Sequence, residues 1–397
     1  MITRSHSELP VFFDAAHHAL AAKLEAALAP GGRVRAHGDT DVDVAANVVP
    51  WLGREGFAEL VVPKDGARVD VRSLCVAREA LGYVSPLADG IFAVQGLGAH
   101  ALVATPSFKR REEILGAMRA GEKVGGFALT EPEAGSDVAS MRATAHRDGD
   151  AWILDGEKIF ISNVGIAHAF VVFANADPSA GKRGMSAFFV EANAPGLALE
   201  PIKTSGDHPL GRLVMRACRV PADALVGEVG HGLRLALGTL DVFRTSVGAA
   251  AIGMAQRALD ETLSHVARRK QFGQALADFQ LTQATLAEMS TELDAARLLV
   301  ARAAWLKDGA GTDAIEGVTT SPASAVAMAK LYATEAAQRI IDQAVQLHGG
   351  LGVVDGSVVE RLYREIRPLR IYEGTSEIQK LILGSALAKQ AKEAAAP

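Results

Sequence analysis

The sequence predicts an α+β chain in three stretches: helices, then antiparallel strands, then a helical bundle. Three observations predict it. Ala- and Leu-rich runs with helical spacing fill the first part, short β-branched and aromatic runs broken by Asp-Gly pairs fill the middle, and the helical period returns after Gly232. The corresponding domains are residues 1–120, 121–230 and 231–397.

In the first stretch, Phe12 to Leu28 and Glu112 to Met118 carry helical spacing, and Pro30-Gly31-Gly32, Pro63-Lys64-Asp65-Gly66 and Pro106 divide it into several helices. In the second, Ala151-Trp152-Ile153-Leu154, Lys158-Ile159-Phe160-Ile161 and Ala169-Phe170-Val171-Val172-Phe173 read as strands, with hairpin turns at Asp148-Gly149 and Asp155-Gly156. A compact antiparallel barrel or sandwich is the economical arrangement. In the third, the segment from Gly232 to Arg269 contains no proline, so one helix there would run roughly 55 Å. Leu286, Met289, Leu293, Ala296, Val300 and Ala303 form one apolar stripe, the mark of a helix packed in a bundle.

The bulk numbers bound the function. A chain of 397 residues with 49% hydrophobic and 22% charged residues suits two or three globular domains and not a disordered segment. A net charge of -5 gives no global pull toward nucleic acid or an anionic membrane, so any anionic ligand is held locally. Cys75 and Cys218 stand alone, without the spacing of a disulfide framework or zinc site, and read as reduced structural thiols. The opening Met1 to Glu8 has no apolar signal core and no run of ~20 uncharged apolar residues follows. The expectation is a soluble, cytoplasmic protein with no metal.

Five strings carry chemistry. Phe127-Ala128-Leu129-Thr130-Glu131-Pro132-Glu133-Ala134-Gly135-Ser136-Asp137 runs from an apolar strand into a turn where backbone donors can face a ligand. Asp155-Gly156-Glu157-Lys158-Ile159-Phe160-Ile161-Ser162-Asn163 follows it. Arg269-Lys270-Gln271-Phe272-Gly273, with Gln280 beyond, puts a planar cation near a helix end, where a guanidinium can grip phosphate bidentately. Gln346-Leu347-His348-Gly349-Gly350-Leu351-Gly352 is a glycine-rich helix end. Tyr372-Glu373-Gly374-Thr375-Ser376-Glu377 places a carboxylate before a helix, where Glu373, Thr375 or Ser376 could also simply cap it.

Together these strings resemble the acyl-CoA dehydrogenase family over about residues 120–385. The resemblance implies an N-terminal helical domain, a middle antiparallel β-barrel domain and a C-terminal four-helix-bundle domain. It also implies FAD as cofactor, an acyl-CoA as substrate, an electron-transfer flavoprotein as acceptor, and a homodimer or homotetramer. Glu373 then matches the general base. Leu129, Thr130, Phe160, Ser162, Thr375 and Glu377 match flavin contacts, with Phe160 where many members carry tryptophan and Glu377 where glutamine is frequent. Arg269, Phe272, Gln280, Gln346 and Gly350 match contacts to FAD across a subunit interface. Ser136, Arg244 and Gly374 match the substrate arm. A second family position for the base, just before an arginine on the first long C-terminal helix, reads Phe243-Arg244 here and holds no carboxylate. The loop Lys203 to Gly211 departs from the family wording.

The implied reaction is α,β-dehydrogenation of the thioester to the trans-2-enoyl product. A flavin oxidase or monooxygenase on the same fold, and a non-catalytic scaffold, stand as the alternatives. Phe92 to Ala99 either lines an acyl pocket or forms a plain packing surface, and nothing in the sequence names the acyl group.

Overall fold

The computed structural model describes residues 2–29, 41–64, 67–309 and 320–395. Six helices come first: α1 (Ser5–Glu8), α2 (Ala15–Ala27), α3 (Asp41–Glu55), α4 (Val71–Val84), α5 (Pro86–Val103) and α6 (Arg111–Ala120). Pro106 falls between α5 and α6, whereas Pro30-Gly31-Gly32 and the Asp65-Gly66 pair lie outside the described residues. The chain divides into two compact units, one of Met1–His37, Asp70–Asp89 and Arg244–Pro397, the other of Gly38–Val69 and Gly90–Phe243.

The second unit holds the sheet. Its strands are β1 (Gly125–Ala128), β2 (Thr144–Asp148), β3 (Ala151–Ser162), β4 (Ala169–Asn175), β5 (Met185–Glu191), β6 (Leu197–Pro201), β7 (Leu210–Pro221) and β8 (Leu225–Val226). The order is β6-β7-β3-β2-β4-β5-β8, with β1 added against β4. The sheet is mixed where an antiparallel barrel or sandwich was expected: β1 runs parallel to β4, Thr144 of β2 pairs parallel with Asn175, and among the described residues no ladder joins β6 to β8. Parallel neighbours need a long crossover, and residues 129–143 together with the β2–β3 hairpin supply it here. Trp152, Phe170, Phe188 and Leu213 are among the side chains that fill the sheet's core.

Asp148-Gly149 opens the expected hairpin, since Asp148 pairs with Ala151. Asp155-Gly156 does not turn the chain. It sits inside β3 at a bulge, where the register against β7 slips between Leu154 and Gly156. Asp155 Oδ1 accepts the Ala217 N–H at 2.7 Å. A Cβ on Gly156, at φ 132°, would stand 2.8 Å from Ala143, so the bulge needs glycine there.

The first unit is helical. Its core runs along α7 (Gly232–Arg268) from Arg244 onward, α8 (Gln280–Lys307) and α9 (Pro322–His348), and α9 also carries α10 (Val358–Ile366) and α11 (Ser376–Ala394). The stripe from Met289 to Ala303 is buried, with Leu286 half-buried against it. The 37-residue α7 is apolar enough by length and composition to cross a membrane, but 61% of that window is buried inside the protein, as in a core helix. Both cysteines are free and buried.

Candidate active site

Between α10 and α11 the chain makes a tight turn in which two successive residues, Glu373 at φ 54° and Gly374 at φ 92°, take the left-handed conformation. A non-glycine residue there costs of order 1–3 kcal/mol and persists only where its surroundings hold it. Three donors do so. Arg244 Nε on α7 donates to the Glu373 carbonyl at 3.0 Å, and Lys330 Nζ on α9 and Gln379 Nε2 on α11 each donate to the Gly374 carbonyl at 2.9 Å. At φ 92° Gly374 holds a conformation that L side chains rarely adopt, and a Cβ there would also push on Gln379 Nε2 at 2.7 Å. Glu335 braces the turn from both sides, accepting from Ser376 and pairing with Arg370.

The two readings of the motif separate cleanly. Thr375 is the cap of α11, its hydroxyl accepting the Ile378 N–H at 3.3 Å, and Glu377 lies exposed in the first turn. Its carboxyl is held below the usual range by its own backbone N–H and by Thr375. Glu373 caps nothing: its Oε2 is buried without a hydrogen-bond partner. Burial pushes its carboxyl above the usual range, against Arg78, Arg244 and Lys330, which pull it down.

Three of the charges around this carboxylate are ones that motif reading passed over. Arg78 on α4 is fully buried and forks onto Asp89 of α5 (Nε to Oδ1 2.8 Å, Nη2 to Oδ2 2.7 Å), with a third bond to Ser246 Oγ at 3.1 Å. The Lys330 side chain is also fully buried, and burial lowers it to about 8. The available signal was positional. Lys330 lies on the apolar stripe of α9 with Val326, Ala333, Thr334 and Ala337, where a solvated lysine would not be placed.

In the other unit the first two strings are stitched together. The Thr130 carbonyl accepts the Ile159 N–H at 2.9 Å. Lys158, buried between them, donates to the Leu129 carbonyl at 3.2 Å and to Glu131 Oε1 at 2.7 Å. The Glu131 carboxylate also takes the N–H groups of Arg142 and Ala143. Thr130 and Ser162 are half-buried, Leu129 is buried and Ser136 is exposed. Phe160 sits at φ 57° in a second bulge of β3 and is 60% exposed, re-aimed outward as bulges do.

Arg269 follows the last residue of α7, and Phe272 tips a hairpin between Lys270–Gln271 and Gln274–Ala275, with Gln280 opening α8. The glycine turn ends α9, with Gly349 at φ 58°. His265, four residues before Arg269 on α7, stacks on His348 at 4.3 Å, which brings the end of α7 against the glutamine-glycine string. Arg269, Phe272, Gln280, Gln346 and Gly350 are all exposed on the chain.

A chain of helical and sheet domains in this order has the acyl-CoA dehydrogenase-like fold. Residues 126–218 match the family described as Acyl-CoA dehydrogenase, middle domain, and residues 230–388 that described as Acyl-CoA dehydrogenase, C-terminal domain. The chain is 36% identical over 388 residues to a probable acyl-CoA dehydrogenase of Mycobacterium tuberculosis, covering 96% of each. It is 36% identical over 353 residues to subunit CarC of the caffeyl-CoA reductase-Etf complex of Acetobacterium woodii, covering 86% of this chain and 90% of that one. Among solved structures, a glutaryl-CoA dehydrogenase from Mycobacterium smegmatis in complex with FADH2 superposes with a TM-score of 0.85 at 26% identity, covering 96% of each chain. The chain belongs to the acyl-CoA dehydrogenase family, and is an oxidoreductase.

Proposed function

We propose that the chain oxidises the Cα–Cβ bond of an acyl-CoA to the trans-2-enoyl-CoA, with Glu373 removing the α proton. The observation that carries this is the Glu373 carboxylate: on a half-buried residue, with Oε2 buried and without a hydrogen-bond partner among the described residues, and raised toward the proton it must take. An α hydrogen of a thioester is weakly acidic, so the developing enolate oxygen needs donors; the backbone N–H of Glu373 suits that role, as it does in the family. Closure of the acyl group over the turn excludes water and raises the carboxyl further. Arg244 and Gly374 shape the turn against the substrate, and Ser136 lies along the CoA arm.

FAD, when bound, would accept the hydride that leaves Cβ. Leu129, Thr130, Phe160 and Ser162 would hold its ring, and the family resemblance assigns Thr375, and more weakly Glu377, to the same cofactor. Arg269, Phe272, Gln280, Gln346 and Gly350 would hold its pyrophosphate and adenosine from a neighbouring subunit, and their exposure supports a homodimer or homotetramer. An electron-transfer flavoprotein is the proposed acceptor, a reading supported by the relative that is a subunit of an Etf complex.

The test is Glu373→Gln in the flavin-loaded enzyme. Flavin content should stay normal while turnover falls at least ~10²-fold; near-normal turnover overturns the assignment. Oxygen uptake matching substrate consumption would favour the oxidase alternative.

A further inference from the structure

The buried lysine beneath the catalytic turn has no part in the reaction as described. We propose that Lys330 is a positioning residue for the base: its ammonium, bonded to the Gly374 carbonyl, fixes the left-handed turn and keeps the Glu373 carboxylate charged and ready. This rests on Glu373 being the base.

The geometry supports a role beyond packing. Lys330 is fully buried, and its ammonium donates to the Gly374 carbonyl at 2.9 Å. That carbonyl already accepts from Gln379 at 2.9 Å, so the lysine is not needed to satisfy it. Burying an ammonium is costly, and an apolar side chain of the same length would spare that cost. What the amide of Gln379 lacks is charge. Glu373 is the largest of the charges acting on Lys330, ahead of Arg244, Glu335 and Glu377. Around Glu373 itself stand Arg78 on α4, Asp89 on α5, Arg244 on α7 and Lys330 on α9. Asp89 forks onto Arg78 and offsets it, and Arg244 spends its Nε on the Glu373 carbonyl. Arg78 and Arg244 act on the Glu373 carboxyl more strongly than Lys330, but Arg78 is offset by Asp89, whereas among the described residues no carboxylate is hydrogen-bonded to Lys330.

The sign follows. Removing a cation from a desolvated carboxylate favours its protonated form, so the limb of kcat/KM that rises as the base ionises moves to higher pH. Removing the hydrogen bond alone does not move it.

The experiment compares Lys330→Met and Gln379→Leu in the flavin-loaded enzyme, with butyryl-CoA and octanoyl-CoA as probe substrates and a dye acceptor. Lys330→Met should displace the rising limb upward by ~1 pH unit, which lowers kcat/KM about tenfold at pH values below the limb. Its melting temperature should not fall. Gln379→Leu should leave the limb in place. Lys330→Arg, which keeps the charge, should keep the profile. Carbodiimide labelling of Glu373, followed by peptide mass across pH, reads the same displacement without substrate, and Lys330→Gln gives that readout where the methionine variant does not fold. An unmoved limb in Lys330→Met, or an equal displacement in Gln379→Leu, overturns the proposal. Loss of turnover in Glu373→Gln alongside an unmoved limb in Lys330→Met sinks this inference alone, whereas full turnover in Glu373→Gln sinks the assignment of the base.

Discussion

Arg244 donates through Nε to the carbonyl oxygen of Glu373 at 3.0 Å, so the long helix α7 grips the backbone, not the carboxylate, of the proposed base. The guanidinium fixes both distance and direction, which a flexible ammonium cannot copy. Arg244→Lys should therefore leave the chain folded but misplace the carboxylate, and a misplacement of ~1 Å costs on the order of 10²-fold in rate. Single-turnover bleaching of the flavin by butyryl-CoA measures it; a rate within twofold of the parent would show that Arg244 does not set the geometry.

The raised carboxyl of Glu373 has a consequence for stability. Its folded value lies above the unfolded 4.5, chiefly through burial. The neutral acid is thus the form the fold tolerates, and stability linked to this group is present below the unfolded value and lost as pH rises through the folded one. Glu373→Gln, which cannot ionise, should melt higher than the parent at pH 8, and the gap should close below about pH 4.5. Calorimetry across that range decides, and a gap that widens on acidification would reverse the assignment of the shift.

Lys158 and Glu131 form a buried pair at 2.7 Å under the Leu129-Thr130 segment. Burial lowers the lysine to about 8 even with its partner beside it. Removing one member leaves the other unpaired, a loss of about 3–5 kcal/mol. Lys158→Met also frees the Leu129 carbonyl. We expect a large drop in urea midpoint together with poor flavin retention, whereas restoring stability by the double change Lys158→Met with Glu131→Gln would assign the cost to the uncompensated charge.

Helices and strands were legible because their periods are local: the stripe from Met289 to Ala303 and the alternation around Ala169–Phe173 each follow from one segment of chain. The parallel placement of β1 against β4 was not, because pairing partners are decided by long-range packing. Asp155-Gly156 misled for a related reason: a residue with positive φ serves a bulge as well as a turn, and only the neighbour Ala143 decides which. At the site, motif strings reached Glu373 and Arg244. They passed over Arg78, Asp89 and Lys330, whose nearness to Glu373 comes from long-range packing, while each reads locally as an ordinary helix charge.

Phe272 is 95% exposed at the corner of a two-residue loop, with φ 51° and Gly273 after it at φ 83°. Such a loop wants positive φ at both corners, which asparagine followed by glycine supplies with least strain. An aromatic residue there is disfavoured twice, by its backbone and by its exposure, so the hairpin's own stability does not account for it. Its ring meets only Phe279, edge-on at 6.4 Å, among the described aromatic contacts. Contact with a ligand or a second subunit, as proposed for this string, would account for it. Phe272→Asn should therefore leave the monomer as stable or stabilise it by about 1 kcal/mol, while weakening the assembly and lowering its flavin content. Sedimentation velocity and the flavin-to-protein absorbance ratio measure both. If neither changes, the ring faces only solvent, and Phe272 has no place in the shared cofactor site.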